Sequence, residues 1–495
     1  MTWRKRYGTA GIAATALLFG CTADFTGLVT TTDFLETGRT LSFFEAFQVD
    51  PQSEDSAGPQ FVAAADLNND GLTDLVSAWN QSQPVQVHIQ QRPVTGTIRF
   101  ETTTLAGSVP VVSVAGLAVD DFDQDGHTDI AVLVKESLTE GAACLDSEQP
   151  DAGLSGMILL YLGPDDPTEV NQPLSWIETP VGSSLLQGAG TGETPETGGF
   201  TAMAAGDMDE DGDTDLVVAW NSACGGGTTD VVIFTNGGAG AVRDGSWTGT
   251  LLPDPFPQGS AIKDVALGDL DGDGDLDVVA TFPDAPTMNV RWYRNPTVDV
   301  PDEVHVSDLG WAVGTVAQIP TGADVLDTGD IDGDGRVDVL VRSTNGKLIQ
   351  WMRGPEQPTT DPIRQIPWQV YTVSEFTDRT PDAIRLGDLD GDGFPEVIAS
   401  AAGALLWFAP QPTATVFDQW EEVLIVDDGT GAQGEAPATT DPNVQPEEVV
   451  GATLINNVIV ADLDGDGSND IVATLDRAGL SGLTNDALAW FRNLQ

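Results

Sequence analysis

Carboxylates recur along this chain at constant offsets. The pattern Asp-x-Asp/Asn-x-Asp-Gly-x-x-Asp/Glu occurs seven times, and the oxygen-bearing positions 1, 3, 5 and 9 are Asp66, Asn68, Asp70 and Asp74 in the first copy. They are Asp121, Asp123, Asp125 and Asp129 in the second, and Asp207, Asp209, Asp211 and Asp215 in the third. The fourth has Asp269, Asp271, Asp273 and Asp277, and the fifth Asp330, Asp332, Asp334 and Asp338. The sixth has Asp388, Asp390, Asp392 and Glu396, and the seventh Asp462, Asp464, Asp466 and Asp470. Clustered hard oxygens suit a hard divalent cation, calcium above all. Glycine at position 6, such as Gly71 or Gly274, lets the backbone turn sharply around an ion. An acidic turn without metal is the plain alternative, since Asp and Gly favour turns anyway. It does not account for three or four carboxylates at the same offsets seven times.

The first six residues match the start of an EF-hand loop, which then needs a bidentate glutamate at position 12 between two helices. Position 12 here is Ser77, Val132, Val218, Ala280, Val341, Ala399 or Ala473, and the flanks are short β-rich runs. Upstream lie Phe61–Ala65 and Val458–Ala461; downstream lie Ile130–Val134, Leu216–Trp220 and Val278–Ala280. Each motif is therefore expected to join two strands. Two more strands follow in most units, for example Asn289–Tyr293 and then Glu303–Val306 in the fourth, or Leu348–Met352 and then Trp368–Tyr371 in the fifth. Four strands in each of seven units predict an all-β, seven-bladed β-propeller. The last unit runs out of chain before its fourth strand, while Thr40–Val49 is a strand with no unit of its own. Placed as the outer strand of the last blade, it closes the ring and removes exposed edges.

Units of this kind, ending in phrases such as Trp292-Tyr293-Arg294-Asn295 and Trp490-Phe491-Arg492-Asn493, resemble FG-GAP/VCBS-type repeats, the calcium-loop propeller repeats of integrin α-subunit heads and many bacterial surface proteins. The resemblance covers residues 40–495. It implies up to seven calcium ions, held by side chains at loop positions 1, 3, 5 and 9 and by the position 7 carbonyl. It implies no single function, because members include adhesion heads, lectin-like binders and enzyme-associated domains.

Composition narrows the field. Of 495 residues, 77 are acidic and 20 basic, a net charge of -57 that excludes nucleic acid as a partner. Hydrophobic residues at 40% are enough for a core. Residues 1–20 read as an export signal, with Arg4, Lys5 and Arg6 before an apolar run too short to span a bilayer. Leu18-Phe19-Gly20-Cys21 resembles a lipobox, so Cys21 is expected to carry lipid at the cell envelope and to begin a tether over 21–39. Cleavage after Ala23, giving a secreted protein, is the rival reading. Cys144 and Cys224 then remain as a pair in an oxidising compartment. Both fall between second and third strands of adjacent blades, where a disulfide is expected.

Recurring tryptophans in third strands, such as Trp292, Trp351, Trp407 and Trp490, are expected to pack between blades. Trp79 and Trp220 end second strands on the side away from the acidic loops. They are ligand-face candidates for stacking on a sugar, with core packing the bland alternative. His88 and His305 alternate with valines and are expected to face solvent. Asp327 and Arg385 share one innermost-strand offset and are expected to form a structural ion pair. No nucleophile elbow, phosphate loop or HExxH motif is present. The expected function is a monomeric, exported, calcium-stabilised binding, adhesion or scaffold module. Its protein or carbohydrate partner is expected at the face opposite the loops, where the long insertions fall, and its only membrane contact is the lipid. A propeller enzyme acting on polysaccharide or lipid, or a lectin, are the alternatives.

Overall fold

In a computed structural model, residues 44–49, 58–81, 84–92, 98–107, 111–137, 154–181, 198–222, 229–252, 261–285, 288–296, 310–356, 368–377, 379–410, 419–427, 454–476 and 487–494 are described. Strands dominate because the apolar runs are short, β-branched and cut off by Asp-Gly turns. Asp277–Thr281 (DVVAT) is buried at every position, as is Glu396–Ala401. Neither alternates, which is how a strand covered on both faces reads.

The strands form seven four-stranded antiparallel sheets, the blades of a β-propeller. The first blade holds Pro59–Ala65, Asp74–Trp79, Val85–Gln91 and Arg99–Thr104; the second holds Val111–Asp120, Asp129–Ser137, Leu154–Leu162 and Ile177–Val181. The third holds Gly198–Gly206, Asp215–Ser222, Thr229–Thr235 and Thr248–Leu251; the fourth, Asp264–Gly268, Asp277–Thr281, Val290–Arg294 and Ala312–Ala317. Next come Val325–Gly329, Asp338–Ser343, Leu348–Arg353 and Gln369–Glu375, then Pro381–Gly387, Glu396–Ala401, Ala404–Pro410 and Trp420–Asp427. The seventh combines Leu454–Ala461, Asp470–Asp476 and Ala487–Asn493 with the N-terminal strand Phe44–Gln48, which pairs antiparallel with Ala487–Asn493 as the outermost strand. The ring is closed as the orphan strand implies.

One expected strand moves. The fourth strand of the fourth blade is Ala312–Ala317, paired through Tyr293↔Val313 and Arg294↔Ala312, rather than Glu303–Val306, which lies outside the described residues. Trp311, Val316 and Ala317 are buried there, so this segment supplies the apolar surface that the third strand needs.

The core is divided. Seven hydrophobic clusters each join two adjacent blades, the last joining the seventh to the first through Val472, Leu488, Trp490, Val62 and Leu75. Innermost strands approach closely: a Cβ added at Gly387 would lie 2.7 Å from the side chain of Val460 in the next blade. Because neighbouring blades cover both faces, His88 is fully buried, a correction to the solvent-facing expectation. His305 lies outside the described residues.

Candidate functional site

All seven Asp-rich loops join first to second strands and so share one face of the ring. Within a loop the carboxylates first organise the backbone. The position 1 side chain accepts from the amide of position 6 in every loop and from that of position 5 in all but the third and sixth: Asp330 Oδ1 from Asp334 N at 3.0 Å and Oδ2 from Gly335 N at 2.8 Å. Position 5 accepts from position 7, as Asp125 Oδ1 does from His127 N at 3.0 Å. Position 6 is glycine in every loop and takes φ values from 82° to 107°, a left-handed conformation that L side chains adopt at a cost.

Position 9 is a staple. Asp277 Oδ2 accepts from Leu270 N at 3.0 Å and Oδ1 from Asn295 N at 2.7 Å, tying the loop to the exit of the third strand. Asp129 binds Phe122 N and Gly163 N in the same way. The sixth loop departs from the pattern: Glu396 accepts from Leu389 N, and the residue at the third-strand exit is Pro410, which has no N–H. Burial, with the neighbouring carboxylates adding to it, pushes these groups up, against the pull of their backbone donors. Asp74, Asp129 and Asp338 rise to about 7, Asp215 and Glu396 to about 8, Asp277 to about 9 and Asp470 to about 6.

Position 3 turns one oxygen inward. Asp123 Oδ1, Asp209 Oδ1, Asp271 Oδ1 and Asp332 Oδ1 are buried without a hydrogen-bond partner, as is Asp207 Oδ1 at position 1 of the third loop. Buried anionic oxygens with no donor are costly. Carboxylate oxygens converge within 4.8 Å of one another in Asp121/Asp123/Asp129, Asp207/Asp209/Asp215, Asp330/Asp332/Asp338 and Asp388/Asp390/Glu396. In the fourth loop the converging set is Asp269/Asp271/Asp273. Hard, convergent, unsatisfied oxygens fit a divalent cation by donor type and by need. Asn68 in the first loop differs, because its amide donates to Asp70 Oδ2 and its oxygen accepts from Asp70 N.

Three further groups serve the loops, and the sequence reading did not single them out. At the register position facing loop position 9, Arg294, Arg353 and Arg492 leave the third strand and straddle positions 3 and 5 of their own loop. Arg353 Nε lies 2.5 Å from Asp332 Oδ2 and Nη2 lies 2.7 Å from Asp334 Oδ2. Arg294 pairs with Asp271 and Asp273, and Arg492 with Asp464 and Asp466. For Arg353 and Arg492 the Nε contact lacks hydrogen-bond alignment and is an ion pair by proximity. Arg243, from the short helix Ala239–Asp244 of the third blade, does the same for Asp123 and Asp125 of the second loop.

The other two groups link neighbouring loops. Asn236, Asn295 and Asn493 donate side-chain N–H to the position 2 carbonyl of the preceding loop (Phe122, Met208, Leu389), and Gln90 does so to Leu463. Position 8 also reaches back: Thr128 Oγ1 to Asp66 O, Thr73 Oγ1 to Asp462 O and Asn469 Nδ2 to Asp388 O. The signal for the first two groups was the Arg-Asn ending of the third-strand phrases.

Away from the loops, Trp79 is 0% exposed and its Nε1 donates to Ser77 Oγ, while Trp220 is 9% exposed. Neither ring offers a face to a sugar, which corrects their reading as ligand-face candidates: packing holds both. Trp292, Trp351, Trp407 and Trp490 are buried between blades. Arg385 lies 3.6 Å from Asp327, and Asp327 Oδ2 also accepts from Leu386 N, so this pair links adjacent blades. Cys21, Cys144 and Cys224 lie outside the described residues.

Residues 39–132 and 330–399, about a third of the chain, match the family described as FG-GAP-like repeat. No curated protein matches. Among solved structures, a lectin of Agrocybe aegerita that recognises non-reducing terminal N-acetylglucosamine is 16% identical, covers 75% of this chain and 81% of its own, and superposes with a TM-score of 0.45. A chain from a complex of BBS1N with ARL6DN is 12% identical over 92% of this chain and 98% of its own, with a TM-score of 0.45.

Proposed function

We propose that this chain is an exported propeller, anchored to the cell envelope through Cys21, whose loops bind calcium and whose rigid ring serves as a binding or scaffold module. The observation that carries the calcium reading is the set of inward, buried position 3 oxygens without partners, repeated in the second to fifth loops. Asp or Asn at positions 1 and 3, Asp at position 5 and the carboxylate at position 9 would hold the ion, which would supply charge neutralisation and no chemistry. Rigid scaffolds place binding in their loops. The partner, a protein or a carbohydrate, is assigned to the face opposite the calcium loops. The strands that flank the connections 136–156, 222–229, 180–199 and 427–449 end on that side, the connections themselves lying outside the described residues, and a Cys144–Cys224 disulfide would brace two of them. With Trp79 and Trp220 buried, that partner is gripped by loop residues and not by these two rings.

The test is thermal. Metal-free protein is melted with and without calcium; ions bound only by the folded state raise its stability, and several sites together are expected to raise Tm by roughly 10 °C or more. Identical melts in protein shown to be metal-free at the outset would sink the reading.

A further inference from the structure

We propose that Arg294, Arg353 and Arg492 are built-in counter-cations, which hold their loops in order without an ion and weaken the hold of those loops on one. This deepens the calcium reading and rests on it. The geometry separates two roles for one carboxylate. The outer oxygens, Oδ2 of Asp271 and Asp273 and of Asp332 and Asp334, face a guanidinium, whereas the inner Oδ1 of Asp271 and of Asp332 is buried and unpartnered. A divalent ion taken by the inner oxygens would therefore lie one carboxylate away from a fixed positive charge.

The third loop is the contrast. Its register position is Thr235, opposite Asp215, and no ion pair reaches Asp207, Asp209 or Asp211 among the described residues. Among the ligand positions 1, 3, 5 and 9, both Asp207 Oδ1 and Asp209 Oδ1 are buried and unpartnered here, whereas the arginine-bearing fourth and fifth loops show this at position 3 alone, at Asp271 Oδ1 and Asp332 Oδ1. With no cation of its own, the third loop leans on an ion the most. The arginines cannot be read as mere surface pairs: each bridges two carboxylates, and the same register position supplies all three.

The experiment uses the full chain made metal-free, with calcium chloride as the titrant and two readouts, melting temperature and calorimetric affinity. In the variant Arg294→Gln/Arg353→Gln/Arg492→Gln, removing a like charge near each ion should tighten calcium binding at those loops by about tenfold. Its ion-free Tm should fall, and its calcium-induced shift should exceed that of the parent. Thr235→Arg should do the reverse, with a higher ion-free Tm and a smaller shift. If the triple variant fails to fold even with calcium, Thr235→Arg decides alone. Weaker binding in the triple variant, or an unchanged calcium shift in both variants, overturns the proposal while leaving the calcium reading intact. A parent protein whose melt ignores calcium overturns both.

Discussion

His88 shows how one side chain reports the geometry around it. Trp79 Nε1–H donates to Ser77 Oγ at 2.7 Å, Ser77 Oγ contacts His88 Nε2 at 2.7 Å, and His88 Nδ1 contacts Thr102 Oγ1 at 2.9 Å. A neutral ring with its proton on Nδ1 lets Trp79, Ser77 and His88 each donate to the next group in the series. Burial lowers the ring's pKa from the usual 6.5 to about 3. The sign follows: below about 6.5 the unfolded ring takes a proton that the folded ring refuses, so its contribution to stability falls as pH drops toward 3, by at most about 1.4 kcal/mol per unit. His88→Gln should be less stable than the parent at pH 7, and the gap should narrow by about 1–3 kcal/mol on going to pH 4.5 in saturating calcium. A gap that ignores pH would mean that the folded ring takes its proton as readily as the unfolded one. The alternation Val85, Val87, Ile89 against Gln86, His88, Gln90 suggested one wet face because the sequence shows period two but not what covers the second face. In a propeller another blade does, and all six are buried.

At the scale of an element, the exit of the third strand matters most, because loop, strand and neighbouring blade meet there. In the fourth blade, Asn295 N donates to Asp277 Oδ1 at 2.7 Å, and its side chain donates to Met208 O at 2.8 Å and Leu276 O at 3.1 Å; Asn295, Asp277 and Met208 are fully buried and Leu276 half-buried. Asn295→Ala keeps the backbone bond and takes a donor from two carbonyls, one in each of two adjacent loops. It should cost about 1–3 kcal/mol, against no more than about 0.5 kcal/mol for Asn345→Ala on an exposed turn, read from thermal melts in calcium. Equal effects of the two changes would show that Asn295 is not a link between blades. Loops and strands were legible because the Asp-Gly pattern marks every first-to-second connection and the apolar runs flank it. The fourth strand of the fourth blade was not, since Glu303–Val306 and Ala312–Ala317 both carry β-prone residues and only packing against Val290–Arg294 chooses between them. The arginine and asparagine partners were visible only as the recurring ending of a phrase; their reach across to a loop some twenty residues earlier, or to the preceding blade, is a product of register.

For the whole molecule the decisive contact is the one that turns a row of blades into a ring. It is made twice. On the loop face, Gln90 Nε2 donates to Leu463 O at 2.7 Å, Thr73 Oγ1 to Asp462 O at 3.1 Å and Arg92 Nη2 to Asp464 O at 2.5 Å, so the first blade grips the seventh as other neighbours grip each other. At the rim, the N-terminal strand completes the seventh sheet. Phe44 sits edge-on to Trp407 of the sixth blade, with ring centroids 6.5 Å apart, and Val49 is buried in the cluster joining the seventh blade to the first. One short strand thus touches the interfaces on both sides of its blade. Removing it exposes the edge of Ala487–Asn493 and the apolar surface beneath. A chain beginning at Gly58 should lose about 2–5 kcal/mol from the unburied Phe44 and Val49 side chains and gain a tendency to pair edge to edge. The expected measurement is a lower melting temperature in calcium together with concentration-dependent association in light scattering. A peptide of residues 40–49 added in trans should reverse both, because it restores the strand and not merely the charge. Recovery with a scrambled peptide of the same composition, or a truncated chain that melts like the parent, would show that the loop-face grip closes the ring by itself.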